Sequence, residues 1–379
     1  MPIPKITNLV LGGGGVPGAF SLLGAIKALE EQKLLGYLEH VCGTSIGGIA
    51  ALMLCLNFKA KEIKDFIKNI DFSKLQDNSY FPQATMKNLK NHFGIYTGKP
   101  LSELIKTILK MRDLPEDITF EQLKKDFPRT LHIVATKAFT DSNGIGQSEL
   151  QYFSADTTPD TSIVTAIMAS TAIPPFFPRI RLERQAEGKF VEVEGNKGHV
   201  YADGGFLSNC AIEYFDEPGG RINQETLGLA FTTFPSKEKL KVSIPDGDLV
   251  NYLFALLYKA FSDEYEKLAK PENYKRLIII DRQNQKANIT EFNPSHQMRK
   301  KLYHAGKGAV HQYLKLHYLK DNIFGLPNEV KENDDEKHSS SLKYSKSQII
   351  FSSSRDNKEA NNKEKHLQRS RTCTPFRNI

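Results

Sequence analysis

Val41-Cys42-Gly43-Thr44-Ser45-Ile46-Gly47-Gly48-Ile49 is the stretch whose reading decides the fold. The five residues 37–41 are short and half apolar, which suits a strand, and residues 49–56 are mostly good helix formers. Between them, Gly43-Thr44-Ser45-Ile46-Gly47 fits G-x-S-x-G, the pattern of a tight strand-to-helix turn. Such a turn needs glycines on both sides of the serine, because its backbone is strained and its neighbours are crowded. It lifts the hydroxyl out of the sheet, beside the positive end of a helix. A serine in a glycine-rich loop is the plain alternative, since five-residue patterns match by chance. The rest of the chain has to decide.

Upstream, residues 5–11 read as a first strand that runs into Gly12-Gly13-Gly14-Gly15-Val16-Pro17-Gly18. Phe20, Leu22, Leu23, Ile26 and Leu29 then fall near helical spacing, with Glu30, Glu31 and Lys33 on the other side. Strand, glycine loop, helix, strand, elbow, helix is the βαβα opening of an α/β fold with a parallel sheet.

Downstream, helical patterns recur at 60–70 and 101–111, carried by Ile63, Phe66, Ile67 and Ile70 and by Leu101, Leu104, Ile105, Ile108 and Leu109. The irregular stretch 72–98 between them holds Tyr80, Phe81, Pro82, Phe93 and Tyr96; it reads either as a lipid-facing lid or as a loop folded back on the core. A strand is expected over 130–139, paired with 148–153, then a helix over 162–171 stopped by Ile173-Pro174-Pro175-Phe176-Phe177-Pro178. A hairpin over 179–194 and a segment at 199–202 lead into Asp203-Gly204-Gly205. A strand at 226–233, a long helix at 246–270, a strand at 276–281 and a helix at 296–320 complete the pattern. The 249–261 part is apolar on nearly every face and reads as a core helix rather than a membrane-facing one.

Composition narrows the class. The 379 residues are 40% hydrophobic and 25% charged, ordinary for a globular chain that can bury a full core. No apolar run approaches the ~20 residues of a membrane span, and the N-terminus lacks the features of a secretory signal. Cys42, Cys55, Cys210 and Cys373 have no CxxC spacing, so free thiols in a reducing compartment and no zinc are expected. The histidines at 304, 311 and 317 do not form an i, i+4 metal pair and read as a solvated face. Of the net charge of +7, residues 331–379 supply +4, from eleven Lys/Arg against seven Asp/Glu. A body carrying only the remaining +3 is not that of a nucleic-acid binder. Residues 1–325 read as one folded domain and 326–379 as a disordered, basic tail rich in Ser, Lys and Asn.

The glycine loop has two readings. Gly13-Gly14-Gly15-Val16-Pro17-Gly18 matches the dinucleotide pattern G-x-G-x-x-G. That reading needs an acidic residue at the end of the second strand, where this chain has its serine turn, and Glu39 comes too early. The other reading is anion stabilisation: consecutive glycines let backbone N–H groups converge on one point in front of a helix. An acyl-transfer serine needs this at the oxyanion of its tetrahedral intermediate, where one good donor is worth ~3 kcal/mol. Such a serine also needs a base. Asp203 ends another expected strand with glycines behind it, although Asp-Gly-Gly alone is most often a turn.

Taken in order, the Gly13–Gly18 loop, the Gly43–Gly47 turn and Asp203-Gly204-Gly205 resemble the patatin-like phospholipases, whose motifs are G-G-G-x-R/K-G, G-x-S-x-G and D-G-G/A. The segment Ala169-Ser170-Thr171-Ala172-Ile173-Pro174-Pro175 and the strand Ile133-Val134-Ala135-Thr136 are also similar to that family, the latter to bacterial members. The resemblance implies a three-layer α/β/α fold with a mostly parallel central sheet. It implies a lipid acyl hydrolase of phospholipase A or lysophospholipase type, working on a phospholipid membrane surface through a Ser–Asp dyad without cofactor or metal. By matching position Ser45 is the nucleophile and Asp203 the base. Gly13, Gly14 and Gly15 form the oxyanion hole, and Gly18, Gly43, Gly47, Gly204 and Gly205 support the motifs.

Some members of the family are bacterial effectors that stay quiet until they meet a host protein or membrane. The resemblance therefore extends to a host-protein activator, to cytoplasmic residence or secretion without a Sec signal, and to peripheral membrane association. The tail is compatible with a delivery segment and equally with an inert linker. Pro17 departs from the family's Arg or Lys and removes an N–H and a charge, which bears on head-group preference; activity is expected to survive. Two competing readings stand beside this one. An α/β-hydrolase would complete a Ser–Asp–His triad from His296, His304, His311 or His317, although its elbow normally follows several strand–helix units. A catalytically inactive binding module would use the same scaffold to dock lipid or protein.

Overall fold

In the computed structural model, the described residues are 5–77, 82–185, 188–195, 197–232, 268, 270–281 and 291–318, with the backbone alone considered over 82–86. Nine strands form one sheet: β1 (Asn8–Leu11), β2 (His40–Thr44), β3 (Thr130–Thr140), β4 (Gly146–Ser154), β5 (Ile180–Arg184), β6 (Phe190–Glu192), β7 (His199–Asp203), β8 (Thr226–Thr232) and β9 (Leu277–Asp281). The helices are α1 (Gly15–Glu31), α2 (Ile46–Cys55), α3 (Ala60–Asn69), α4 (Pro82–His92), α5 (Lys99–Lys110), α6 (Phe120–Asp126), α7 (Ile163–Ser170) and α8 (His296–His317).

The centre of the sheet, in the order β3-β2-β1-β8-β9, is parallel throughout. Strands β1 and β9 are short and rich in Leu, Ile and Val, as suits strands of a parallel sheet buried on both faces. Alternate residues point to opposite sides. Leu9, Leu11 and Val41 enter the main core under α1 and α2, while Val10, Cys42 and Val134 enter a smaller core with Cys210 and Ile212. Beyond β3 the sheet turns antiparallel through β7, β5 and β6, and β4 pairs with the other edge of β3.

The order of elements agrees with the sequence reading from β1 through the 180–192 hairpin to β9, with shifts of a few residues at the ends. Two helices were not legible. The stretch 72–98 is not a loop throughout but contains a 3₁₀ turn at Phe72–Leu75 and all of α4. The short α6 starts at Thr119, whose side chain accepts from the Gln122 N–H in a capping box. Tyr96 folds back into an aromatic cluster with Phe176, Phe177 and Phe292, while Phe93 faces outward; Tyr80 and Phe81 lie outside the described residues. The expected helix over 246–270 lies almost wholly outside the described residues, and the tail over 326–379 entirely so. Among the described residues, no helix is long and apolar enough to cross a membrane.

Candidate active site

Strand β3 acts as a rail on which two other strands meet end to end. Parallel β2 pairs with its first half, so that Thr44 stands opposite Val134. Antiparallel β7 pairs with the next stretch, so that Asp203 stands opposite Ala135. The last rung of β2 and the last rung of β7 are therefore consecutive. Ser45 leaves one strand where Asp203 ends the other. Two residues 158 positions apart are brought together by register alone.

The turn at Ser45 has the strained geometry that the sequence pattern implies. Its backbone sits at φ 55° and ψ −126°, a region costly to a residue with a β-carbon. Several contacts hold it there. The Ser45 N–H donates to Ser170 Oγ at 2.9 Å, and the Ser170 hydroxyl in turn donates to the Val134 carbonyl at 2.5 Å. The Gly48 N–H donates to the Ser45 carbonyl at 2.8 Å. Gly47 is obligatory, since a β-carbon there would lie 2.1 Å from the Leu11 carbonyl oxygen. Ser45 itself is only 5% exposed.

Asp203 is fixed through its backbone on both sides: its N–H donates to the Ala172 carbonyl at 3.0 Å, and its own carbonyl accepts from Thr136 Oγ1 at 2.9 Å. Oδ1 accepts from the Gly205 N–H at 2.8 Å as the chain enters the 3₁₀ turn Gly204–Phe206. A β-carbon on Gly204 would lie 2.4 Å from the Val134 carbonyl, so only glycine lets this turn lie against β3. Oδ2 has no hydrogen bond of good geometry, yet the Ser45 hydroxyl is near enough to act on the carboxyl. Burial pushes the Asp203 pKa from 3.8 up to about 6, and the bonds offered by Ser45 and Gly205 only partly oppose this. A carboxylate poised there can hold a proton or release it near neutral pH.

The glycine loop lies beside the serine, with a β-carbon built on Gly13 falling 3.2 Å from Ser45 Cβ. The Gly13 N–H, however, donates to the Asn209 carbonyl at 3.1 Å, and Asn209 Nδ2 donates back to the Gly13 carbonyl at 3.0 Å. This reciprocal clamp engages Gly13 as a brace. Among the three glycines expected to form the oxyanion hole, Gly13 thus has its N–H turned to Asn209. Gly14 caps α1, Gly15 opens it at φ 61°, and Gly18 packs under Ile46. Pro17 sits in the first turn of α1, where its missing N–H removes no helical bond.

Sequence reasoning did not identify Asn209 or Ser170 as parts of this site. Ser170 lay inside a quoted family-like segment and Asn209 six residues after Asp203, but neither polar residue carries a periodic signal, and both act through backbone groups distant in sequence.

The histidines lie elsewhere. His296, His304 and His311 are exposed on α8, and His317 packs among Tyr274, Tyr313 and Tyr318. His40 and His132 pair with each other at the opposite end of β2 and β3. Among the described residues, no three His, Cys, Asp or Glu side chains converge as a metal site.

The family described as patatin-like phospholipase matches residues 9–216. An uncharacterised protein of Acanthamoeba polyphaga mimivirus is 26% identical, over 82% of this chain and 94% of its own. A cGAMP-activated phospholipase of Vibrio cholerae is 26% identical, over 54% of this chain and 55% of its own. Among solved structures, VipD of Legionella pneumophila aligns over 83% of this chain and 67% of its own, with a TM-score of 0.49 and 21% identity.

Proposed function

The chain belongs to the patatin-like phospholipase family and is a lipid hydrolase, and on that premise we propose that Ser45 and Asp203 are its catalytic dyad, cleaving fatty-acyl esters of glycerophospholipids. The observation that carries this reading is the meeting of β2 and β7 on consecutive rungs of β3. Asp203 takes the proton from Ser45 Oγ as that oxygen attacks the ester carbonyl. The same carboxyl then protonates the departing alcohol, leaving a fatty acyl group on Ser45. Water, deprotonated by Asp203, attacks this acyl-enzyme and releases the fatty acid. The amides of Gly14 and Gly15, in front of α1 and its dipole, stabilise the oxyanion, while the Asn209 clamp on Gly13 fixes the loop that presents them.

A Ser–Asp–His triad is disfavoured by the solvent-facing positions of His296, His304 and His311. The test is fatty-acid release from mixed phospholipid vesicles by wild type, Ser45→Ala and Asp203→Asn, with and without eukaryotic cell extract. Loss of at least about 10³-fold in both variants is expected. Hydrolysis surviving in Ser45→Ala would overturn the assignment. Activity that emerges only with extract would establish dependence on a host-protein activator, which the family resemblance brings into this proposal together with delivery to a host cell.

A further inference from the structure

The end of α4 presents an unusual surface. Lys87, Lys90 and Phe93 are all exposed; the two lysines are i, i+3 neighbours on α4 and Phe93 follows its last residue. His92 and Lys99 are exposed beside them, and residues 82–102 contain no Asp or Glu at all. Phe93 closes the helix at φ 60°, a left-handed position normally left to glycine because a β-carbon clashes there. Its ring is 50% exposed, so this backbone cost is not offset by burial in the core. Instead the ring carries the Arg179 guanidinium, 4.1 Å from its centroid.

This surface is also rigidly tied to the catalytic aspartate. The Ile95 N–H donates to the Pro175 carbonyl at 2.7 Å, the Tyr96 N–H to the Phe176 carbonyl at 2.8 Å, and the Arg179 N–H to the His92 carbonyl at 3.1 Å. Asn88 Nδ2 closes the turn by donating to the carbonyls of Gly94 at 2.8 Å and Tyr96 at 2.7 Å. The strap 172–179 that receives these bonds begins at Ala172, whose carbonyl holds the Asp203 N–H.

We propose that Lys87, Lys90, Phe93 and Arg179 form a docking surface for an anionic phospholipid bilayer, which brings the Ser45–Asp203 site to its substrate. The partner follows from charge and shape: cationic groups from a stretch without Asp or Glu, whose nearest acid by hydrogen bond is Asp77 on Thr97, meet phosphate headgroups, and one aromatic ring held outward enters the interfacial layer between headgroups and acyl chains. The proposal rests on the lipid-ester reading for its purpose, but binding and hydrolysis can be measured apart.

The test is co-sedimentation of the full chain with vesicles of phosphatidylcholine alone and of equal parts phosphatidylcholine and phosphatidylglycerol. Wild type is expected to prefer the anionic vesicles and to be released by salt. The double variant Lys87→Gln/Lys90→Gln should lose roughly fivefold in binding per lysine on anionic vesicles only. Phe93→Ser should lose about tenfold on both kinds. Phe93→Gly should bind as weakly as Phe93→Ser while melting higher, because it keeps the left-handed turn without strain. All variants should hydrolyse a water-soluble short-chain ester within about twofold of wild type, the expectation for residues outside the dyad. Variants that sediment like wild type, or a wild type indifferent to phosphatidylglycerol, would overturn the docking surface. Phe93-dependent binding in a protein that hydrolyses no ester either with or without eukaryotic extract would uphold the surface and refute the hydrolase assignment.

Discussion

At the C-terminal end of β2, Asp203 is buried beside Ser45; at the N-terminal end of the same strand, His40 Nδ1 and His132 Nε2 lie 3.1 Å apart beneath Tyr214 and Phe215. The two ends are five residues apart along β2, roughly 16 Å. Burial acts on both in the same way, by penalising the charged form. It raises the Asp203 pKa to about 6 and lowers the His132 pKa to about 3, where the neighbouring His40 adds a smaller push downward. The difference lies in what each group faces. Asp203 lies beside a hydroxyl that can exchange a proton with it, and the glycine turns let the two strand ends approach that closely. His132 is packed among the rings of Tyr214 and Phe215, its Nδ1 has no hydrogen-bond partner among the described residues and its Nε2 meets another imidazole, so burial holds it neutral away from any hydroxyl or glycine turn. A perturbed pKa marks a reactive site only where a partner and access accompany it.

The contrast predicts opposite responses to replacement. Asp203→Asn should cut activity about 10³- to 10⁴-fold, the scale of a general base, and yet raise stability. Its raised folded-state pKa means that the native state gains stability as pH falls through about 6 and bears the cost of the buried charge above it. The shift from 3.8 to about 6 corresponds to at most about 3 kcal/mol, so the variant should melt several degrees higher at pH 8. A melting temperature that falls would show that Asp203 is a structural ion. In wild type the rate should climb through pH 6 and level off above 7, a limb missing from the residual activity of the variant.

Ser170→Ala sharpens the picture of the elbow. It leaves the buried Ser45 N–H unpaired, a cost of about 1–3 kcal/mol that the turn can relieve only by shifting. Displacement of the hydroxyl by even a fraction of an ångström should lower kcat by about 10²-fold with KM within twofold. Ser170→Thr keeps the hydroxyl and should recover part of the loss. Equal falls in kcat and in the folded fraction would instead mean that Ser170 serves stability alone.

The smallest effect on catalysis belongs to the histidine end. Because the His132 pKa is depressed in the fold, its contribution to stability is present above pH 6.5 and is lost as pH falls below that value toward 3. His132→Phe should flatten this acid limb in a series of melting temperatures against pH, while ester hydrolysis at pH 8 stays within about twofold. A large loss of activity at pH 8 would mean that the two ends are coupled.

Much of this was legible in the chain. The 3.6-residue period of Phe20, Leu22, Leu23 and Ile26 and the runs of Leu and Val in the strands are local consequences of burial, so they survive in one dimension. The turn at Ser45 was readable because a strained backbone leaves glycines behind at fixed offsets. Helix α4 was not, because most of its residues are polar and its C-terminus is closed by Phe93 where glycine would have marked a stop. Clamps such as Asn209 on Gly13 and Ser170 on Ser45 were invisible for a different reason: each is a single polar residue whose partner is a backbone group 196 or 125 positions away.

By itself the sequence determined the order of strands and helices, the identity of the elbow serine and the glycines that permit close approach, since these follow from periodicity and from steric limits on single residues. Only the tertiary structure decided that Ser45 and Asp203 meet, that Gly13 is engaged by Asn209, and that the histidines stand away from the serine. Those outcomes depend on the register in which β2 and β7 dock along β3. A shift of that pairing by one residue would turn every side chain of β7 to the other face.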